Sequence, residues 1–87
     1  MSRQRQYRDT EVIRKLGERI RELRLAAGLS QQKLADLCEL ELSQINRIEL
    51  GKINTSVSQI FLIAEKLKVL PEELIRFKKG KEAKSKQ

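Results

Sequence analysis

From Thr10 to Phe77 the apolar residues recur at spacings of three and four, and the pattern is cut at Gly28, at Gly51 and again just before Pro71. A chain written this way folds into several helices. A half-buried strand would need alternation at every second residue, and no segment sustains it. Thr10 followed by Glu11 is a helix-start signal, after which Ile13, Leu16, Ile20, Leu23 and Ala27 line one face until Gly28, a residue that takes the left-handed conformation without a side-chain clash. Leu29 then returns to the core, and Ser30 is an N-cap for a short helix from Gln31 to Leu37 or Cys38, with Leu34, Ala35 and Cys38 on one face. A third helix from about Leu42 to Leu50 buries Ile45 and Ile48, presents Ser43, Asn46 and Arg47 at other angles, and stops at Gly51. Asn54, Thr55 and Ser56 make a polar joint; Ser56 caps a fourth helix lined by Val57, Ile60, Phe61, Ala64 and Leu67. Pro71 opens a fifth, where its missing N–H costs nothing, with Glu72 and Glu73 at the positive end of the helix dipole and Leu74, Ile75 and Phe77 as anchors. The expected fold is all-α, with five short helices.

At 87 residues the chain has room for one small domain and tails. A single cysteine and no histidine exclude an internal disulfide and leave no ligand set for zinc or haem, so neither metal nor cofactor is expected. The longest stretch without a charge, Ile53 to Ala64, is 12 residues long and contains five polar side chains, too short and too polar to span a bilayer. The N-terminus carries no apolar signal segment, and a lone thiol suits a reducing compartment, so a cytoplasmic protein without a membrane role is expected. No phosphate-cradling glycine loop and no activated nucleophile are present, which argues against an enzyme.

The net charge of +7 sits in the tails. Residues 1–8 hold Arg3, Arg5 and Arg8 without an acid, and residues 76–87 hold six basic residues against Glu82, whereas residues 9–75 balance ten basic against eleven acidic side chains. The chain therefore divides into a basic N-terminal arm (1–9), a helical domain (10–77) and a basic, disordered C-terminal tail (78–87). Basic tails attract phosphates without reading a sequence, so any recognition must come from the middle.

The middle offers one unit suited to that task. The run LSQQKLADLCELELSQINRIELG, Leu29 to Gly51, reads as two short helices joined by a tight turn, held together by Leu34, Ala35, Cys38, Leu40, Ile45 and Ile48. If the first lies across the phosphate backbone, the second can enter a major groove about 12 Å wide and bring side chains to base edges. This run resembles the Cro/lambda-repressor-type helix-turn-helix family, also called the XRE type. The likeness lies in Leu-Ser-Gln at Leu29–Gln31, Leu-Ala at Leu34–Ala35 and Ile-x-Arg-Ile-Glu-x-Gly at Ile45–Gly51, and it extends over roughly residues 11–77.

The resemblance implies a five-helix domain that binds double-stranded operator DNA, commonly as a homodimer, and regulates transcription. It assigns Glu41, Leu42, Ser43, Asn46 and Arg47 to base contacts, and Gln31, Gln32, Gln44, Lys52 and Asn54 to the phosphate backbone. It further pairs Arg24 with Glu49 as a structural ion pair bridging the first and third helices, and the complementary charges agree. Leu70, Ile75 and Phe77 near the C-terminus are candidates for an apolar twofold contact. Four positions depart from the family's pattern: Glu39 and Lys68 where glycine is usual, Glu41 where a small hydroxyl residue usually caps the recognition helix, and Leu50 where a polar residue is common. The acids at Glu39 and Glu41, with apolar Leu37, Leu42 and Leu50, keep open a second reading, a protein-interaction module such as an antitoxin or adaptor using the same surface. An RNA-binding module is disfavoured, since aromatics at 3% provide no base-stacking platform.

Overall fold

The computed structural model describes the backbone of residues 2–77 and the side chains of residues 10–77. It contains five helices, α1 (Ser2–Ala26), α2 (Gln31–Cys38), α3 (Leu42–Glu49), α4 (Val57–Leu67) and α5 (Pro71–Leu74), and no strand among the described residues. The expected basic C-terminal tail, 78–87, lies outside the described residues. The first helix corrects one expectation. It passes straight through Thr10, which is therefore not its cap, and at 25 residues it is not short.

Helices α1 to α4 end in the same way, and this explains two of the unusual residues. Gly28, Glu39, Gly51 and Lys68 all have positive φ, between 58° and 74°. In each case the next residue folds back and donates its N–H to a carbonyl in the last helical turn: Leu29 to Arg24, Leu40 to Ala35, Lys52 to Arg47 and Val69 to Ala64, at 2.9–3.1 Å. Leu29, Leu40 and Val69 then pack against the core, which anchors three of the four closures. That anchoring holds Glu39 and Lys68 in a left-handed conformation costing roughly 1 kcal/mol for a residue with a Cβ. At the other ends, Ser30 accepts from the Lys33 N–H at 3.0 Å and Ser56 from the Gln59 N–H at 3.1 Å, as the sequence predicts.

The core is contributed by all five helices: Leu16 and Ile20 from α1, Leu34, Ala35 and Cys38 from α2, Ile45 and Ile48 from α3, Ile63, Ala64 and Leu67 from α4, and Leu74 from α5. Helix α3 packs between α1 and α2, while α4 bridges α2 and α5. Gly17 permits the approach of α1 to α3, because a Cβ there would lie 2.3 Å from the Ile48 carbonyl oxygen and 2.7 Å from that of Glu49. At the far side Arg19 ties α5 to α1, its Nε donating to the Glu73 carbonyl at 2.7 Å and its Nη2 to the Glu73 carboxylate at 3.2 Å. Val57 and Phe61 are a second correction. Both were expected to line the core face of α4, yet they are 70% and 57% exposed; Ala64 and Leu67 are buried as expected, and Ile63 joins them.

Candidate nucleic-acid interface

Helix α3 is divided lengthwise. Ile45 and Ile48 are buried against α1 and α2, whereas Leu42, Ser43, Asn46 and Arg47 are exposed and Gln44 is half-buried. Residue pairs at i and i+4 such as Leu42–Asn46 and Ser43–Arg47 share a helix surface, so these four side chains form one contiguous outward strip. Glu41 occupies the N-cap position in extended conformation, is exposed, and makes no side-chain bond to the helix, which leaves its carboxylate at the edge of that strip. Beyond the other end, Lys52 and Asn54 are both exposed.

The strip is held from behind by a buried ion pair. Arg24 Nε donates to Glu49 Oε2 at 2.7 Å and Arg24 Nη2 to Oε1 at 3.1 Å, a two-pronged contact between side chains only 7% and 1% exposed. Arg24 Nη1 also donates to the Leu29 carbonyl at 2.7 Å, so one guanidinium fixes the end of α3 and the turn leading into α2. The pairing inferred from the sequence is thus present, and it is more buried than complementary charges alone suggest.

Gln31 is where the geometry exceeds the sequence reading. Its side chain is half-buried and turned toward α3, with Nε2 donating to Glu49 Oε1 at 2.9 Å and Oε1 accepting from Asn46 Nδ2 at 3.4 Å. Nothing in the sequence reveals this bridge, because a glutamine in a helix's first turn carries no sign of which neighbour it meets. Gln32 is exposed and donates to Asp36 within its own helix at 2.9 Å. No group of three or more acidic or cysteine side chains is arranged to hold a metal ion among the described residues. Cys38 is buried in the core, where burial pushes its thiol pKa up, partly offset by the positive charge of Lys66.

This geometry of two helices joined by a turn, with a supported outward strip on the second, can be set beside known proteins. Residues 20–74 match the helix-turn-helix family. The chain belongs to that family, of the XRE type. Among curated relatives, control protein C.BamHI of Bacillus amyloliquefaciens is 40% identical over 70 residues, covering 78% of this chain and 86% of that protein. An uncharacterized HTH-type transcriptional regulator of Rickettsia prowazekii (strain Madrid E) is 38% identical over 64 residues, covering 69% of this chain; the match spans 49% of that protein's length. Among solved structures, the restriction-modification controller protein C.AhdI from Aeromonas hydrophila superimposes with a TM-score of 0.69 at 44% identity, covering 71% of this chain and 94% of that one. A hypothetical transcription factor, NHTF, from Neisseria gives 0.73 at 26% identity over 91% and 90% of the two chains. The family is a class of DNA-binding regulators rather than of enzymes.

The surface expected to join two copies lies on α4 and around α5. Leu70 and Ile75 are exposed there, together with Val57 and Phe61, and a largely apolar groove is lined by Val57, Ile60, Phe61, Pro71, Glu72 and Ile75. Phe77 is half-buried and packs against the core beside Lys15 and Arg19 of α1. No helix among the described residues is long and apolar enough to cross a membrane.

Proposed function

We propose that this helix-turn-helix regulator binds operator DNA sequence-specifically as a homodimer in the cytoplasm, inserting α3 into the major groove. The observation that carries the reading is the exposed strip Leu42, Ser43, Asn46 and Arg47 on a helix whose other side is buried. Arg47 offers two parallel donors suited to guanine O6 and N7, Asn46 a donor and an acceptor suited to adenine, and Leu42 an apolar surface for a thymine methyl. Glu41 would repel phosphates, but its carboxylate can accept from cytosine N4, so it serves as a base reader rather than a backbone clamp. Gln31, Gln32, Gln44, Lys52 and Asn54 surround the strip and supply the backbone contacts, those of Gln31 and Gln32 aided by the N–H groups that open α2. C.BamHI is called a control protein and C.AhdI a restriction-modification controller, and a controller role of that kind is the regulatory setting we propose here.

A single eight-residue helix reads few base pairs, so two copies about 34 Å apart on one DNA face are needed for an operator-length site. The apolar surface of Leu70 and Ile75, extended by Val57 and Phe61, is the proposed twofold contact; Phe77, expected there as well, packs instead beside Lys15 and Arg19 of α1. Selection from random duplex DNA is expected to enrich a twofold-related motif, with Arg47→Ala costing roughly 1–3 kcal/mol and relaxing one position. Deleting residues 78–87 is expected to weaken binding to all duplexes alike and to flatten its salt dependence. Sedimentation at micromolar concentration is expected to show a dimer that Ile75→Glu dissociates. Failure to enrich any motif would instead favour a protein partner seated on Leu37, Leu42 and Leu50.

A further inference from the structure

We infer that Glu49, acting through Gln31, fixes which way the side-chain amide of Asn46 faces, and so restricts Asn46 to a base pair presenting adenine. The inference rests on α3 being the DNA-facing helix and adds to it the chemistry of one position.

An ionised carboxylate accepts hydrogen bonds and cannot donate them. The Gln31 atom 2.9 Å from Glu49 Oε1 must therefore be its nitrogen, Nε2. The other end of the same amide is then its oxygen, also an acceptor, so the Asn46 atom 3.4 Å away must be Nδ2. Two successive amides are thus oriented by one buried charge. Glu49 in turn cannot rotate, because Arg24 grips both its oxygens at 2.7 and 3.1 Å. The chain of contacts runs from Arg24, 6% exposed as a residue, outward to Asn46 on the exposed strip.

One Nδ2 hydrogen of Asn46 is committed to Gln31. The second, with Oδ1 beside it, remains for the groove, donor and acceptor in a defined order. Adenine answers that order, N7 accepting from Nδ2–H and N6–H donating to Oδ1. Guanine does not, since its O6 would meet Oδ1, acceptor against acceptor. A free amide could turn over and offer its hydrogens to guanine instead. Glu49 and Gln31 are therefore positioning residues for specificity, and Asn46 is the group that touches the base.

The test uses Gln31→Met, which keeps the length and packing of the side chain and leaves the Arg24–Glu49 pair intact. In the free full-length protein, the Asn46 side-chain amide resonances should move in Gln31→Met toward those of a solvated amide. On duplexes selected by the wild type, Asn46→Ala locates the base pair concerned. There Gln31→Met should lower the preference for adenine over guanine on the order of tenfold, whatever happens to overall affinity. Glu49→Gln, whose amide can donate as well as accept, should lower it likewise; since that variant strands Arg24, its melting is checked first, and Gln31→Met decides alone if it does not fold. Unchanged Asn46 resonances, or an unchanged adenine preference in Gln31→Met, overturn the inference. A wild type that enriches no motif overturns the DNA reading and the base assignment together, while the resonance shift, measured without DNA, separately supports or overturns the orienting contact.

Discussion

Replacing Glu49 by alanine removes the acceptor on which three side-chain bonds converge, two from Arg24 and one from Gln31. The guanidinium left behind keeps one bond, to the Leu29 carbonyl, and stays in a place where its side chain is 7% exposed. Breaking a buried pair from one side costs about 3–5 kcal/mol, because the surviving charge is neither paired nor hydrated. A domain of this size holds only about 4–13 kcal/mol in all, so the loss is a large share. Each kcal/mol corresponds to roughly 4–8 °C in melting temperature, which places the expected drop between about 12 and 40 °C. Removing both partners, as in Arg24→Met with Glu49→Leu, eliminates the stranded charge. What is left is the Leu29 carbonyl and the Gln31 amide without their former partners, at about 1 kcal/mol each. The double variant should therefore be more stable than Glu49→Ala, although it has lost more of the native interactions. Urea unfolding followed by the helical circular dichroism signal measures all three proteins. A Glu49→Ala domain within about 1 kcal/mol of wild type, or a double variant less stable than the single one, would refute the assignment of the pair as a buried, mutually compensating unit.

Other perturbations address other parts of the fold. Gly17→Ala should destabilise by about 1–3 kcal/mol in the same unfolding assay, even though alanine is the better helix former by about 1 kcal/mol, because its Cβ would fall 2.3 Å from the Ile48 carbonyl oxygen and push α3 away. Glu39→Gly and Lys68→Gly should each stabilise by up to about 1 kcal/mol, since both residues occupy left-handed backbone; a loss of stability would show that their side chains contribute more than the backbone strain costs. The Cys38 thiol pKa is raised in the folded state, so its contribution to stability is complete below the unfolded thiol value of about 8.5 and is lost as pH rises through the folded value. The urea midpoint should accordingly fall on the alkaline side more steeply for wild type than for Cys38→Ala, and labelling of the thiol at neutral pH should proceed only as fast as the domain opens.

Which parts of this were legible in the sequence follows from how local each signal is. Ser30 and Ser56 could be identified as caps because a hydroxyl and the N–H it accepts from are three residues apart. Gly28 and Gly51 announced their left-handed turns by residue type, whereas Glu39 and Lys68 did so only through the family resemblance, their own side chains being unsuited to that conformation. Thr10 and Glu11 do not mark the start of α1, because no glycine or proline interrupts residues 2–9 and the pair fits inside a helix as well as at its end. Val57 and Phe61 read as core in the sequence because α4 is apolar over an arc wider than the stripe it buries, and periodicity cannot tell the stripe from its margins. The Arg24–Glu49 pair spans 25 residues, and only the family pattern pointed to it. Gln31 is marked in the sequence only as a phosphate contact implied by the resemblance; its bridge to Glu49 and Asn46 left no trace.

On the proposed DNA-binding reading, the acids and bases of the α3 surface assign overall attraction and recognition to different residues. Residues 9–75 carry slightly more acid than base, and Glu39 and Glu41 stand at the entrance of α3 while Arg47 and Lys52 stand at its exit. A duplex docked on this surface as proposed would meet repulsion at one end of the helix and attraction at the other, which would favour one orientation and penalise a loosely seated protein. Under that reading, attraction that ignores sequence would come from the basic ends of the chain, and discrimination from side chains already held in place before DNA arrives. A buried ion pair suits that second requirement better than a stronger hydrophobic contact. Leucine and methionine in place of Glu49 and Arg24 could hold α1 against α3 just as firmly, but neither has a direction to impose on a neighbouring amide. On this physical ground the Arg24–Glu49 pair should matter less to the melting temperature, once both partners are replaced together, than to the choice of base.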